Sequence, residues 1–485
     1  MKQTSELFTS VRWFAAGVTA LAILSPSIPS SNAAAPGKQP NFVLILGEGA
    51  GWTSTSVQMD DRNPASKGTG IKTPNLERLA AAGMRFSDGY AASPRCTPSR
   101  AALFTGRSPA ALHMTFIGDG RGRSDAEVKT RVIPPHALLE LPEAETTIGQ
   151  LLKRAGYATA HFGKWHVGRE HPSKHSFDES DGPTGNGGPE NVANPNPKQA
   201  LAMTTRGIDF MERQVKAGRP FYLQMSHYPS QGEKGGGGGG RNRGADNQSE
   251  EISAVDKTLG QILDAVERLG LKDSTYIIYT TDHGTPGRNP PFTGGKGTVW
   301  EGGLRVPFIA AGPGIKAGAC SHVRVTATDL FPTSAELAGI KEPLPKGLEG
   351  GSFVPLLMNG GMGTVKRSRE EFIVHFPHYD KDQIGPASAL ILGNYKLIRA
   401  YENGALYLFD LSKDPGERND LAKQMPEKAT ELNQRLTDYL KAVNAQIPSP
   451  NPNYDPSQAA NTLPGEKRKG GGKRGGGRKG GAPTQ

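Results

Sequence analysis

Cys96 stands in the run Ser93-Pro94-Arg95-Cys96-Thr97-Pro98-Ser99-Arg100, whose residue types prepare a side chain for an anion. Thr97 is a good helix N-cap and Pro98 suits a first helical turn, so a helix is expected over 98–105 with Cys96 just before it. Backbone N–H groups and the positive end of the helix dipole would then face the thiol. Arg100, one turn in, can add a charge-assisted contact to a sulfate or phosphate oxygen. Taken alone, the pattern equally fits a buried cysteine beside a capped helix. Other segments carry chemistry of the same kind: Glu48 after an apolar run, Gly163-Lys164-Trp165-His166, Thr281-Asp282-His283-Gly284 and Gly294-Gly295-Lys296-Gly297. His227 follows Phe221-Tyr222-Leu223-Gln224-Met225-Ser226. A lone lysine is usually a solvated charge and Gly-Lys-Trp-His can be a plain turn. What favours function is that these residues fall at the ends of expected strands.

Those strands belong to an α/β pattern. Phe42-Val43-Leu44-Ile45-Leu46 is a continuous apolar run followed by glycines, as in a strand buried on both faces of a parallel sheet. Leu76, Leu79 and Ala80 have helical spacing up to Gly83, and Thr147 to Leu152 predicts a helix stopped at Gly156. A short strand leads to Gly163; Leu259 to Leu269 forms an amphipathic stripe, and Tyr276 to Thr281 a β-rich run. This predicts a large, mixed, mostly parallel sheet flanked by helices, with ligand chemistry beyond the carboxyl ends of its strands. From about Gly360 short strand candidates follow one another (372–374, 389–392, 395–398, 406–409), then a helix near 429–443. They suggest a smaller antiparallel subdomain. The expected division is a catalytic domain over 36–360, a C-terminal subdomain over 361–446 and a disordered, basic, glycine-rich tail over 447–485. The glycine run 235–240 reads as a loop.

Cys96-Thr97-Pro98-Ser99-Arg100, continuing through Leu103 and Thr105-Gly106-Arg107, resembles the signature of the formylglycine-dependent sulfatases, an arylsulfatase-like family of the alkaline phosphatase superfamily. The likeness includes Thr73-Pro74-Asn75-Leu76-Glu77-Arg78-Leu79-Ala80 and the lysine, histidine and aspartate motifs above. It runs on through Val299-Trp300-Glu301-Gly302-Gly303, Gly393-Asn394-Tyr395-Lys396-Leu397 and Leu411 to Leu421, covering about residues 40–445 in the family's order. The resemblance implies that Cys96 is oxidised by a maturation enzyme to formylglycine (3-oxoalanine). Its hydrated aldehyde attacks sulfur, and its second hydroxyl lets sulfate leave. By the same resemblance Arg100, Lys164 and Lys296 hold sulfate oxygens, His166 is a base near the nucleophile, and Lys296 helps protonate the leaving oxygen. A calcium ion is implied as well, among Glu48, Asp282, His283 and the Cys96-derived residue.

The chain departs from the family twice. Where two adjacent aspartates are usual it has Glu48-Gly49, so one carboxylate is lost; Asp60, Asp61 or water would have to compensate. Where a leaving-group histidine is usual it has Gln231, which cannot donate a proton usefully at neutral pH. His227 lies four residues earlier and is either catalytic or structural.

The formal net charge of +10 is concentrated: Lys467, Arg468, Lys469, Lys473, Arg474, Arg478 and Lys479 face only Glu466 in the glycine-rich tail. Such a tail either attracts polyanions or solubilises. Nucleic acid is not the expected partner, because Lys2, Arg12, an apolar stretch over 13–24 and Ala33-Ala34-Ala35 read as an export signal over 1–35. Export would place the protein in the periplasm or outside the cell. Cys96 and Cys320 are the two cysteines; they either pair or each need a reason, and Cys320 has none in its local sequence. The expected activity is sulfate ester hydrolysis on a carbohydrate, a small molecule or polysaccharide. The alternatives are a phosphonate or phosphate ester hydrolase and a binding protein without turnover.

Overall fold

Side chains alternate in and out along a strand, so a strand apolar at every position must be covered on both faces. Asn41–Gly47 obeys this rule. In the computed structural model, which describes residues 39–117, 129–187, 198–229, 245–287 and 289–458, it is buried throughout. Phe42, Leu44 and Leu46 face one core with Leu103, Phe104, Leu151, Leu152 and Phe331. Val43 and Ile45 face another, with Leu76, Leu79, Phe210, Leu259 and Ile262. The helices supplying these residues are Cys96–Thr105, Ile148–Arg154 and Leu330–Leu337 on one side, and Pro74–Ala82, Lys198–Ala217 and Ala245–Arg268 on the other.

The eight-stranded sheet runs in the order Ala319–Ser321, Met84–Phe86, Ile309–Ala311, Thr275–Thr281, Asn41–Gly47, Phe221–Ser226, Ala158–Gly163, Glu179–Ser180. Ile309–Ala311 is antiparallel to both neighbours; the other pairings are parallel. The four central strands, Thr275–Thr281 to Ala158–Gly163, therefore end side by side, and the residues that follow them emerge together.

The strands expected beyond Gly360 form a four-stranded antiparallel sheet, Phe372–Phe376, Ala387–Leu392, Tyr395–Ala400 and Leu406–Asp410. Helix Pro426–Ala442 covers one face through Leu432, Leu436 and Leu440 against Leu390, Leu397 and Leu408. The other face packs Val374, Ala389, Ile398 and Phe409 on Tyr90, Val299 and Leu304.

Ser449–Pro450 pairs antiparallel with Val132–Ile133, so the stretch to 458 belongs to the described fold. The export signal, the glycine run, Gln231 and the basic segment lie outside the described residues. Among those described, no helix is long and apolar enough to cross a membrane. Cys96 and Cys320 are both free thiols rather than a pair.

Candidate active site

The four central strands each deliver one polar residue just past the carboxyl end: Asp282, Glu48, His227 and Lys164 in sheet order. The ladder continues into them, with the His227 N–H donating to Leu46 O (2.8 Å), that of Lys164 to Ser226 O (2.7 Å) and that of Asp282 to Gly47 O (3.3 Å). All four are buried, at 4% exposure or less, because the connections fold back over the strand ends.

Cys96 reaches this group from the side. Its helix begins two residues earlier than the capping pattern suggests: Cys96 is the first helical residue and Arg95 occupies the N-cap position with extended backbone and no side-chain cap. The physical reason is the fate of Thr97, whose hydroxyl donates to His166 O (2.8 Å) and so joins the helix to the Lys164–His166 loop instead of capping. The thiol still lies at the helix N-terminus. Around Sγ stand His283 Nε2 (3.2 Å), Glu48 Oε1 (3.4 Å) and Lys296 Nζ (3.5 Å).

Glu48 is the hub. Lys164 Nζ donates to its Oε2 (2.8 Å), Lys296 Nζ to its Oε1 (3.0 Å) and Arg100 Nη2 to its Oε2 (3.2 Å). Arg100 also donates from Nε to Asp282 Oδ2 (3.0 Å) and from Nη1 to Lys164 O (2.6 Å). Burial alone would raise the Glu48 carboxyl, but Lys164 and Lys296 outweigh it and hold it well below the usual range. Asp282 is raised, by burial and by the Glu48 charge. Burial opposes the charged form of Cys96 and of Lys296 too. Yet Lys164 and Lys296 bring the thiol well below its ordinary value despite Glu48, and Cys96 and Glu48 raise Lys296. Three buried cations, Arg100, Lys164 and Lys296, thus face two carboxylates. Once the thiolate is replaced by a neutral group, positive charge is in excess in a dry site. Such a site accepts an anion with little reorganisation.

The donor atoms of Glu48, Cys96, Asp282 and His283 all lie within 4.8 Å of one another. His283 Nδ1 meets only a carbonyl, Gly284 O (2.9 Å), so Nδ1 carries the proton and the Nε2 lone pair faces the group. Against its burial, Asp282 raises this imidazole to about 9 in the absence of a cation. Two carboxylates, an oriented imidazole and, after maturation, an oxygen at residue 96 fit a divalent cation. Asp60 and Asp61 do not compensate for the missing carboxylate: Asp60 pairs with Arg62 and Asp61 with His322, and neither joins this cluster. What occupies the place of a side chain at Gly49 is the His283 ring. A Cβ there would sit 3.0 Å from His283 Cε1, and Gly49 has φ +62°.

His166 and His227 are not brought onto Cys96 by any contact seen here. His166 is partly buried with a positive φ of 57°, and its Nδ1 has no partner among the described residues. His227 is buried, its Nε2 has no partner among the described residues, and burial and Arg100 lower it to about 3. It is therefore a neutral imidazole, which offers a hydrogen bond rather than an acidic proton. Sequence reasoning missed one feature. Arg95, next to Cys96, forms a doubly hydrogen-bonded ion pair with Asp380, and the Gly297 N–H donates to Pro94 O (3.0 Å). Asp380 carries no local motif, so only the tertiary contact reveals it.

A family model described as Sulfatase matches residues 40–340, and one described as N-sulphoglucosamine sulphohydrolase, C-terminal, matches residues 295–446. N-acetylgalactosamine-6-sulfatase of Mus musculus is 33% identical over 391 residues, covering 71% of this chain and 70% of that protein. Arylsulfatase A of Homo sapiens is 30% identical over 494 residues, covering 87% and 91%. Among solved structures, Ps i-CgsB in complex with k-i-k-neocarrahexaose superposes with a TM-score of 0.67 at 23% identity, covering 83% of this chain and 93% of that one. The PsFucS1 sulfatase from Pseudoalteromonas sp. does so with a TM-score of 0.61 at 22% identity, covering 86% and 92%. At these identities the two structures bear on the fold.

Proposed function

This chain belongs to the sulfatase family of sulfuric ester hydrolases, and from that premise we propose that it removes sulfate from a carbohydrate through a nucleophile made from Cys96. The observation that carries the reading is the set of three buried cations around a residue at a helix N-terminus. The names of the relatives, among them an N-acetylgalactosamine-6-sulfatase, support a sulfated sugar as substrate.

Oxidised to formylglycine, residue 96 supplies a hydrated aldehyde, one hydroxyl attacking sulfur and the other allowing the sulfate to be expelled. Arg100, Lys164 and Lys296 take the non-bridging oxygens, where charge accumulates in the transition state. Lys164 and Lys296 can do so by exchanging Glu48 for sulfate. Lys296, whose Nζ lies 3.5 Å from the residue 96 side chain, also donates to the leaving oxygen. His166 takes the proton that triggers sulfate release. His227, neutral, holds the substrate by a hydrogen bond. A divalent cation, calcium by preference, would sit among Glu48, Asp282, His283 and residue 96 and polarise the ester sulfate. Export and maturation by a formylglycine-generating enzyme complete the reading.

The test is mass spectrometry of the peptide spanning Cys96 from active protein, with turnover compared on aryl sulfate and aryl phosphonate. Formylglycine and preference for the sulfate are expected. Full activity with only unmodified thiol overturns the nucleophile; preference for phosphonate overturns the ester class.

A further inference from the structure

Cys320 has no reason in its local sequence, and the fold supplies one. It lies in the Ala319–Ser321 strand at the edge of the large sheet, and His322 follows two residues later. The period of two in extended chain puts both side chains on one side. Asp61, from the loop that follows the first strand, comes to meet them. The Cys320 thiol, a His322 ring nitrogen and an Asp61 carboxylate oxygen all lie within 4.8 Å of one another. Cys320 is partly buried, Asp61 and His322 exposed.

The hydrogen bonds around His322 identify which nitrogen is available. Ser87 Oγ donates to Asp88 Oδ2 (2.7 Å) and so accepts from His322 Nδ1 (3.0 Å). Nδ1 therefore carries the proton, held by a serine–aspartate relay of the kind that orients metal-binding imidazoles. That leaves the Nε2 lone pair pointing at Asp61 Oδ1, 3.2 Å away. Two acceptors at this distance repel unless a positive charge lies between them, either a second proton on the ring or a metal ion. Beside them lies the Cys320 thiol, which donates to Met59 O (3.6 Å) and whose sulfur is a ligand that a borderline-soft cation can use. Sulfur, imidazole and carboxylate are the donors of three-ligand zinc sites, with the fourth position left to water. His322 also lines a cavity of about 520 Å³ with Asp60, Arg62, Asp88, Arg305 and Arg324, so its ring is open to solvent on that side.

We propose that Asp61, Cys320 and His322 form a second metal site, selective for zinc-like divalent ions and separate from the cluster at Cys96. Binding exchanges the thiol proton for the metal and ties the loop after the first strand to the sheet edge. Because the chain has only two cysteines, Cys96→Ala leaves Cys320 as its sole thiol. The experiment titrates Co2+ into this variant with Ca2+ saturating, and follows thiolate-to-cobalt charge-transfer absorption and thermal melting. Expected are one equivalent of cobalt with that band, its displacement by Zn2+, and a metal-dependent rise in melting temperature. Both signals should be lost in Cys320→Ser and in His322→Asn made in the same background, and weakened at least tenfold in affinity in Asp61→Asn. No band in the folded Cys96→Ala protein overturns the proposal. So does a band that survives His322→Asn, which would report a simple surface thiolate complex.

Discussion

Gly49 and His283 behave as one packing unit, and this decides how the chain manages with a single carboxylate after its first strand. The ring fills the space that a residue 49 side chain needs, and Gly49 N–H donates to Asp282 Oδ1 (3.0 Å). Restoring an acid by Gly49→Asp alone should therefore lower metal affinity rather than raise it. Gly49→Asp with His283→Asn should recover at least tenfold of that loss, measured by calorimetry with Ca2+. Equal effects of the single and double variants would show that the positions are independent. At the same scale, Lys164→Ala removes one of the donors proposed for the transferring sulfate while Arg100 and Lys296 still neutralise Glu48. A fall in kcat of about 10²–10³-fold is expected on an aryl sulfate. Exhaustive chelation should likewise abolish turnover, and Asp282→Asn should cost more than Glu48→Gln.

The elements around the site are held by buried charge as much as by apolar contact. Lys396, in the Tyr395–Ala400 strand, donates to Glu301 (2.9 Å) and pairs with Glu417 (2.8 Å), all three fully buried. Glu301 begins the short helix Glu301–Leu304 after the Lys296 loop, so the C-terminal sheet braces the loop that carries Lys296. Lys396→Met would leave buried Glu417 without a cation, while Glu301 keeps Arg305 (3.2 Å) and the Tyr90 hydroxyl (2.6 Å), and should cost about 3 kcal/mol in urea unfolding. His375 sets an acid limit. Its Nε2 donates to Gln446 O (2.9 Å), its Nδ1 accepts from Ser388 (2.7 Å), and burial lowers it from 6.5 to about 4. The unfolded chain then binds a proton that the fold refuses between about pH 6.5 and 4. Stability from this group is complete above pH 6.5 and is lost as pH falls toward 4, on the order of 3 kcal/mol. The melting temperature should fall over that window, and His375→Gln should flatten the slope.

Over the whole molecule, charge is distributed in two different ways. Arg100, Lys164 and Lys296 are buried and paired, whereas the surplus that makes the chain basic sits largely in the segment beyond Gln458. A protein ending at Gln458 keeps the Ser449–Pro450 pairing with Val132–Ile133. It should turn over a small aryl sulfate unchanged. If the segment captures a polyanionic substrate, its loss should raise KM on sulfated polysaccharide at low ionic strength and have less effect as salt rises. A changed kcat on the small substrate would show instead that the segment reaches the site.

Local patterns were enough for the elements and for the family. The apolar run over 42–46, the stripe over 259–269 and the strand series beyond Gly360 state their own secondary structure, because burial on one face or two imposes a period readable in the chain. The family likeness of Cys96, Arg100, Lys164, Asp282, His283 and Lys296 likewise needed only the order of residues, and the fold brings these six together with Glu48. What pairs with what was decided in three dimensions. Thr97 reads as a cap, yet spends its hydroxyl on His166 O; Asp60 and Asp61 read as spare metal ligands, yet turn to Arg62 and His322; Asp380 and Cys320 carry no signal at all. Apart from Asp60, whose partner Arg62 is two residues on, each of these depends on a partner at least 60 residues away. Such choices are settled by which group is closer once the sheet has formed, a quantity that spacing along the chain does not contain.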